Sequence, residues 1–530
     1  MPETASPFLR GGFAPVRREH DGAAPLEVRG GRLPSDLAGV YVKNGPNAQF
    51  PPSSPPSSTP SSSSTRTPPY HWFDGDGMVH AVFLDGASNA ATYTNRWVRT
   101  ERFLRDRARG DTVFSFGEMQ AGNMMAVMDP RGVSSETGKL LGRMHTNVVF
   151  HGGRLLALEE TDQPYEIGLE ALETRGRCDF DGTLRHVFCA HPKVCPKTGE
   201  MFVFGHEIDP MREQAVASYS VVAGARRGAV THTMDVPIRG PRFMHDMAIT
   251  EHFAIVFDLP STFDFGEWQE GRSPWVHRAD MDTRFGIFPR HCEDPSQVRW
   301  FSGKSCQIFH TINAFEADGG STVVLRACRA DSYTMGFDGS DQPKFWLYPY
   351  EWRFDLDTGE TVCERRLADV RCDFPVVSRA VVGVAHRFSY YTSYRARAGD
   401  GVPLYDGLVK LDHGSNDGGG AVVVAEIKLG AHHSCGECSF VPKKAGPTKN
   451  DGDERREDDG YLVMFVTDDR TPDATELWVY CARTLSNASK PLARVVMPQR
   501  VPYGFHGNWI DEEEVKQAGG DGVGLVRSRL

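Results

Sequence analysis

Four histidines, each inside an apolar and strand-like stretch, are the residues of this sequence that most strongly suggest chemistry. They are spread over most of the chain, in HVFCAHPKV, PRFMHDMAIT, CQIFHTINAFE and VPYGFHGNWI, at His191, His245, His310 and His506. Four neutral imidazoles could hold a borderline divalent metal such as Fe(II). No single helix or loop can present ligands so far apart in sequence. A repeating β architecture can, if each repeat directs one residue toward a shared axis.

The sequence between these histidines favours an all-β fold. Short runs rich in Val, Ile, Phe and Tyr, such as FAIVFDLP and AVVVAEIKLG, are separated by Gly, Asp and Pro. This spacing is typical of a barrel, a sandwich or a propeller. No strict repeat is visible, so the propeller prediction depends on strand density and on the distributed histidines. About seven blades of four strands would fit the length. Residues 97–110 have the clearest helical pattern.

We predict a single domain over residues 1–530 with two polar interruptions. Residues 51–69 are almost entirely Pro, Ser and Thr, a composition that cannot bury enough apolar area to order the backbone. We therefore expect a disordered surface insertion there. Residues 443–460 form a second polar stretch between two strand-like runs and should be an extended loop.

The bulk composition excludes some functions and suggests a compartment. The net charge of −11 and the isoelectric point near 6.0 provide no basic surface for nucleic acid. The 11 cysteines are irregularly spaced and no signal peptide or membrane-spanning run is visible, so we expect free thiols and a cytoplasmic protein. Ser528-Arg529-Leu530 is a conservative variant of the peroxisomal Ser-Lys-Leu signal, which leaves peroxisomal import as the alternative.

A lone buried histidine is usually a core residue, so each of the four alone would be weak evidence for a metal site. Their match to a family pattern is stronger evidence. YVKNGPNAQF at 41–50, HWFDGDGMVH at 71–80 and the four histidine contexts resemble the carotenoid cleavage oxygenases. The resemblance extends from about Pro7 to about Trp509. It implies a seven-bladed β-propeller with a helical cap over its top face. It also implies one Fe(II) on the propeller axis, bound by the four histidines.

The resemblance implies further site residues around the metal. Glu160 and Glu437 match carboxylates that orient the histidine ligands, and Asp373 stands where the family usually has a glutamate. Because a carboxylate acceptor is kept, we expect iron binding to persist with some loss of ligand orientation. Thr146 matches a threonine beside an open iron position. FDGDG, in contrast, is interpreted as a turn between two strands in which glycine supplies a positive φ.

We therefore predict a non-heme Fe(II) dioxygenase that cleaves a carbon–carbon double bond of a carotenoid or apocarotenoid with O2, giving two carbonyl products. Its partners would be a small, apolar, conjugated substrate and O2, with no flavin, heme or external reductant. Peripheral membrane contact is plausible through GEMQAGNMMAVM at 117–128, although an internal segment packed on the propeller fits equally well. The sequence does not decide the oligomeric state, the substrate or the bond that is cut.

Two alternatives stay open. Stilbene-cleaving relatives usually have a lysine before the first of the three carboxylates and a tyrosine some twenty residues before the threonine. Here the lysine position is Glu159, and no tyrosine occurs between Tyr93 and Tyr165, so stilbene cleavage ranks lower and retinoid isomerisation lower still. The alternative from a different class is a catalytically inactive propeller that binds apocarotenoids.

Two other motifs could in principle bind metal. Cys435-Gly436-Glu437-Cys438 has the spacing of a thiol–disulfide or zinc motif but lacks a second pair at zinc-ribbon spacing. His291-Cys292-Glu293 has the form of part of an iron facial triad within a polar loop. We interpret the first as inert thiols and regard the second as weakly supported.

Overall fold

Antiparallel strands make up most of the structure. The computed structural model describes the following residues: 6–50, 70, 72–110, 112, 133–134, 136–209, 214–264, 266–267, 270, 274–332, 346–395, 404–414, 420–444 and 456–517. The insertion at 51–69, the stretch at 117–128, residues 445–455 of the polar loop and Ser528-Arg529-Leu530 lie outside these residues. The prediction of an all-β fold is confirmed within the described part of the chain.

The first sheet contains strands from both ends of the described chain. Its order is β1 (Asp21–Pro25), β5 (Ala90–Trp97), β4 (Asp76–Asp85), β3 (Ala38–Asn47) and β33 (Gly507–Asp511). Strand β33 pairs antiparallel with β3, from Gly39 opposite Asp511 to Lys43 opposite Gly507. The last strand thus completes the first sheet.

Four further sheets have four strands each, joined in simple antiparallel order. They are β6 (Asn147–His151), β7 (Arg154–Leu158), β8 (Tyr165–Ile167) and β9 (Thr174–Arg177); β10 (Lys193–Val194), β11 (Met201–Asp209), β12 (Gln214–Val222) and β13 (Val230–Val236); β14 (Ala248–Ile249), β15 (Phe253–Asp258), β18 (Thr283–Pro289) and β19 (Arg299–Gly303); and β20 (Gln307–Ala317), β21 (Thr322–Ala330), β22 (Tyr348–Asp355) and β23 (Glu360–Arg366). A separate pair is formed by β16 (Ser261–Phe263) and β17 (Trp275–His277).

The largest sheet follows a path of eight strands with two attached to it. The path is β2 (Val28–Arg29), β32 (Ala493–Val496), β31 (Thr475–Cys481), β30 (Gly460–Asp468), β28 (His433–Cys435), β26 (Leu404–Asp412), β25 (Phe388–Arg395) and β24 (Cys372–Val376). Strand β27 (Val422–Lys428) pairs with β26, and β29 (Ser439–Pro442) pairs with β30.

The apolar core lies between neighbouring sheets. One cluster joins Val40 and Val79 of the first sheet to Val148 and Leu155 of the next. A second cluster joins Ile255 on β15 to residues of the β20–β23 sheet. Strands whose two faces are both covered read as nearly continuous apolar runs, which is why these segments lack clear alternation.

Helix is sparse among the described residues. Helix α1 (Glu101–Arg109) begins after Thr100, whose hydroxyl accepts the Phe103 N–H at 3.1 Å, and it ends at Gly110 with φ of 77°. It is shorter than the predicted 97–110 because β5 continues to Trp97. Helix α2 covers Glu512–Gln517. Short 3₁₀ turns occur at Pro7–Leu9, Gly11–Phe13, Trp72–Asp74, Pro295–Gln297, Asp318–Gly320 and Arg379–Val381. None of the described helices is long and apolar enough to span a membrane.

The prediction that glycine supplies a positive φ in FDGDG was wrong. Asp76 and Gly77 begin strand β4, and neither Gly75 nor Gly77 has a positive φ. Gly77 is needed for close approach, because a Cβ there would lie 2.1 Å from the Met144 carbonyl oxygen. Its N–H donates to the Arg143 carbonyl oxygen at 2.9 Å. The motif therefore supports the chain that leads into β6.

Candidate metal centre

The structure brings the four predicted histidines together from four different strands. His191 lies just before β10, His245 just before β14, His310 on β20 and His506 just before β33. One nitrogen atom of each ring lies within 4.8 Å of those of the other three. Residues far apart in sequence therefore meet at one point.

The imidazole rings face one another in a buried space. The ring centroids of His191 lie 4.4 Å from those of both His245 and His506, and 5.0 Å from that of His310. The Nε2 atoms of His191 and His245 are 3.0 Å apart, and those of His245 and His310 are 3.3 Å apart. The Nε2 atoms are therefore the ones that face the shared point.

A carboxylate lies behind three of the four rings. Nδ1 of His310 donates to Asp373 at 2.9 Å and Nδ1 of His506 donates to Glu437 at 3.1 Å. Nδ1 of His245 lies 2.9 Å from Glu160 Oε1. Glu437 also accepts the Gly507 N–H at 2.8 Å. The three predicted carboxylates are thus placed to fix the ring orientations.

Contacts with the histidines favour the ionised form of two of the carboxylates, Glu160 and Glu437. Burial raises the pKa of Glu160 and Glu437, but their contacts with His245 and His506 outweigh it, so both pKa values fall below the usual range. Burial and the neighbouring imidazoles hold the pKa of His191 well below its usual value. The Asp373 carboxylate acts in the opposite sense on His310 and raises the pKa of that ring above its usual value despite burial. The carboxylates therefore favour positive charge at the point where the rings meet.

The donor set fits a divalent transition metal. A ring whose Nδ1–H is directed at a carboxylate has a lone pair on Nε2, and the lone pairs of His245 and His310 repel one another at 3.3 Å. A cation among them converts that repulsion into four metal–nitrogen bonds. The residues present therefore fit a metal held by four imidazoles, three of which have a carboxylate next to Nδ1.

The shorter carboxylate at position 373 still reaches its histidine. The following residue, Phe374, has φ of 53°, a left-handed conformation that costs an ordinary residue about 1–2 kcal/mol. Its ring stacks on His310, with centroids 5.1 Å apart, and meets His506 edge to face at 5.2 Å. Aromatic packing against two predicted ligands offsets the backbone strain.

We expect Asp373→Ala to lower metal affinity and activity by about 10- to 100-fold, because His310 would lose the acceptor that fixes its ring. Asp373→Asn is the matched control, since the amide keeps the size and the acceptor oxygen but loses the charge. It should fall between the wild type and the alanine variant. Metal content at limiting Fe(II) measures the effect. Full metal occupancy in Asp373→Ala would show that the carboxylate has no orienting role.

Thr146 lies beside two of the predicted ligands. Its carbonyl oxygen accepts the His506 N–H at 3.3 Å, and the next residue, Asn147, donates to the Ala190 carbonyl oxygen at 2.7 Å. The Thr146 hydroxyl lies 3.2 Å from Nδ1 of His145. The threonine is therefore held between the strands that carry His506 and His191.

Glu159 stands at the position where stilbene-cleaving relatives usually have a lysine. Its Oε2 accepts the backbone N–H groups of Arg143 and Met144, in the turn before Thr146. Its Oε1 accepts the hydroxyl of Thr161, two residues further along the chain. Both carboxylate oxygens therefore have hydrogen-bond partners within the protein.

The sequence did not reveal a network of polar side chains that lies one or two residues after three of the histidines. Asp246 accepts the Thr311 N–H at 2.7 Å and its hydroxyl at 2.8 Å, and it pairs with Lys193 at 2.7 Å. These residues follow His245, His310 and His191 by one or two positions, so the network ties three strands together. A charged residue directly after a candidate ligand was the available signal.

Aromatic side chains form one wall next to His245 and His310. The Phe243 ring stacks on the His245 ring, with centroids 6.1 Å apart. The Phe309 ring meets the His245 ring edge to face, with centroids 5.6 Å apart. The cluster to which they belong consists of Phe73, Ile208, Phe243, Phe263, Trp275 and Phe309. Only Trp275 among these is fully buried, so apolar surface remains next to the predicted metal ligands.

The two other candidate motifs do not form metal sites. Cys435 and Cys438 are buried, and burial raises the pKa of Cys435 to about 12, which keeps it a thiol. Nε2 of His291 pairs with Glu200 at the surface at 2.9 Å. No group of three or more ligating residues other than the four histidines is found in the described chain. All eleven cysteines are free.

Comparison with known proteins settles the family. The family model described as retinal pigment epithelial membrane protein (RPE65) matches residues 13–511. The chain belongs to the carotenoid cleavage oxygenase family. The family prediction is confirmed, and the match covers all four histidines, Thr146 and the three carboxylates.

Curated members of the carotenoid cleavage oxygenase family align with nearly the whole chain. A carotenoid 9,10(9',10')-cleavage dioxygenase 1 from Pisum sativum is 32% identical, with 96% of this chain and 91% of that protein covered. A carotenoid cleavage oxygenase from Mycobacterium tuberculosis is 31% identical, with 96% and 98% covered. The similarity therefore spans complete proteins in plants and bacteria.

Solved structures of the carotenoid cleavage oxygenase family share the fold. The lignostilbene dioxygenase of Pseudomonas brassicacearum superposes with a TM-score of 0.79 at 25% identity, covering 96% of this chain and 99% of that one. A cobalt-substituted apocarotenoid oxygenase from Synechocystis superposes with a TM-score of 0.74 at 22% identity and the same coverage. The second likeness supports the fold alone.

Proposed function

We propose that the protein is a non-heme Fe(II) dioxygenase that cleaves a carbon–carbon double bond of a carotenoid or apocarotenoid. The observation that carries the proposal is the convergence of four imidazole nitrogens within 4.8 Å. Relatives about 32% identical over the chain are named carotenoid cleavage dioxygenases. The reaction consumes one alkene and one O2 and places one oxygen atom on each of two carbonyl products, so it needs no external reductant.

The bound metal would supply the site that binds and activates O2. Fe(II) is the proposed ion because imidazole is a suitable ligand for it, and four neutral ligands would leave coordination positions open. The chain's own residues hold the ligands. Glu160, Asp373 and Glu437 fix the rings of His245, His310 and His506 through the contacts given above. Thr146 restricts the space beside the ligands.

The aromatic wall supports an apolar, conjugated substrate. Phe243 and Phe309 lie against His245, so a polyene resting on them would pass close to the metal. Stilbene cleavage is the second candidate, because a lignostilbene dioxygenase is among the similar structures. We place it second because a glutamate, Glu159, stands where stilbene-cleaving relatives usually have a lysine.

We also propose that the fold is a seven-bladed propeller with a helical cap. Thr146, the four histidines, Asp373 and Glu437 lie on or next to seven strands: β6, β10, β14, β20, β24, β29 and β33. Among them β33 contacts β6 and β29, and β20 contacts β14 and β24, as adjacent inner strands of a ring would. The largest sheet would then supply two blades. The pairing of β33 with β3 supports a single domain.

The substrate screen tests the enzymatic proposal directly. Protein loaded anaerobically with Fe(II) should contain about one iron per chain and should cleave at least one carotenoid or apocarotenoid when O2 is admitted. With ¹⁸O₂ each product should carry one labelled carbonyl oxygen, once exchange with water is controlled. Stilbenes assayed in parallel distinguish the second candidate.

A protein that binds apocarotenoids without cleaving any alkene, and that takes up no iron on reconstitution, would instead be an inactive carrier. Iron uptake without cleavage of carotenoids, apocarotenoids or stilbenes would contradict the proposed reaction while preserving the metal site.

A further inference from the structure

His145 is a buried imidazole whose two nitrogens both have partners. Nε2 lies 2.8 Å from the Phe73 carbonyl oxygen, and Nδ1 lies 3.2 Å from the Thr146 hydroxyl. The imidazole ring also meets the rings of Phe73 and Phe505 edge to face, with ring centroids 6.3 and 5.9 Å apart. It therefore connects the 3₁₀ turn before β4 to the threonine beside the metal centre.

The partners of His145 determine which nitrogen carries the proton. A carbonyl oxygen can only accept, so Nε2 of His145 must donate to Phe73. Burial lowers the pKa of His145, which favours the neutral ring. A neutral ring protonated on Nε2 offers only a lone pair on Nδ1. The Thr146 hydroxyl must then donate its single hydrogen to Nδ1.

We infer that His145 is a positioning residue that keeps the Thr146 hydroxyl hydrogen turned away from the metal ligands. This inference rests on the proposed function and deepens it. With its hydrogen committed to His145, Thr146 presents no donor to the four histidines or to molecules bound among them. The threonine thus acts through its bulk and its lone pairs.

The backbone around His145 is held rigidly enough for this role. Met144 has φ of 52°, a strained conformation for a residue with a side chain. The N–H groups of Arg143 and Met144 both donate to Glu159, and the Asn44 amide donates to the Met144 carbonyl oxygen at 2.8 Å. Rotation of His145 with its backbone is therefore opposed from both sides.

A double-mutant cycle tests the inference. His145→Leu removes both hydrogen bonds, Thr146→Val removes the hydroxyl at constant shape, and the double variant combines them. His145→Gln keeps an amide donor for Phe73 and an acceptor for Thr146. The matched control is His151→Leu, because His151 is another buried histidine, on β6, whose Nε2 contacts a carbonyl oxygen at 2.9 Å, that of Gly199.

We expect His145→Leu to reduce kcat/KM for O2 by about tenfold while KM for the alkene stays unchanged, since the change alters the space beside the open positions. In the Thr146→Val background the same substitution should have no further effect, because its target is already gone. His145→Gln should restore most of the rate, and His151→Leu should leave kcat/KM for O2 unchanged.

A second readout separates this inference from the proposed reaction. The nitric oxide adduct of the Fe(II) protein gives an electron paramagnetic resonance spectrum without any turnover. His145→Leu should change that spectrum by freeing the Thr146 hydroxyl hydrogen, whereas adding His145→Leu to Thr146→Val should not change it further, and His151→Leu should leave it as in the wild type. Additive effects, a failure of glutamine to rescue, or loss of iron from His145→Leu would each overturn the inference. If the wild type cleaves no alkene, the spectra still test it.

Discussion

Replacing His506 by alanine should remove the metal and the activity together. The substitution deletes one of four ligands and leaves Glu437 buried without the imidazole that it accepts a hydrogen bond from. Glu437 would keep the Gly507 N–H but would lose its imidazole partner while remaining buried, so apo-protein stability should also fall. We expect a larger loss than the 10- to 100-fold typical of removing a carboxylate that only orients a ligand.

Metal analysis after anaerobic Fe(II) loading, together with the cleavage assay, measures this result. His291→Ala is the control, because His291 belongs to the rival metal motif but lies at the surface against Glu200. It should keep one iron per chain and full activity. Retention of iron and activity by His506→Ala would contradict a four-histidine centre, and loss of both in His291→Ala would point to the rival motif.

Gly77→Ala should be strongly destabilising and should also lower activity, although Gly77 is not one of the predicted ligands. An added Cβ would lie 2.1 Å from the Met144 carbonyl oxygen and 2.8 Å from that of Arg143, so backbone rather than a flexible side chain must move. That displacement carries His145 and Thr146 with it. We expect a loss of about 3 kcal/mol in the free energy of unfolding, in the range of severe steric substitutions, with a further loss of activity in the folded fraction.

Chemical denaturation followed by tryptophan fluorescence, with activity per folded molecule, checks this prediction. Gly420→Ala provides the comparison, since its nearest neighbour would be the Leu367 carbonyl oxygen at 3.3 Å and the residue is exposed. It should change stability by less than about 0.5 kcal/mol. Equal stability and activity of Gly77→Ala and the wild type would show that the 143–146 turn tolerates displacement.

The sequence predicted the all-β fold from local signals, and it predicted the convergence of the four histidines from local signals together with the family pattern. Apolar runs bounded by turn residues indicate strands wherever they occur, and an imidazole in such a run with a family-specific context indicates a ligand. The roles of Glu160, Asp373 and Glu437 came from the family resemblance, since spacing alone does not connect a carboxylate to a histidine 63 or more residues away.

Other features of the site depend on tertiary contacts that no local pattern encodes. The left-handed backbone of Phe374 is stabilised by packing against His310 and His506, and a phenylalanine before proline gives no sign of it. In the sequence, Gly77 looks like the glycine of an ordinary turn, and its close approach to Met144 is not visible there. His145 attracted no attention because its partners, Phe73 and Thr146, meet it only in the folded chain.

The last strand of the fold has a consequence for how the metal centre is assembled. His506 lies one residue before β33, and β33 completes the sheet that β3 begins near the start of the chain. The fourth imidazole therefore reaches its place only when β33 pairs with β3. Assembly of a four-histidine site is thus coupled to the contact between segments more than 400 residues apart in sequence.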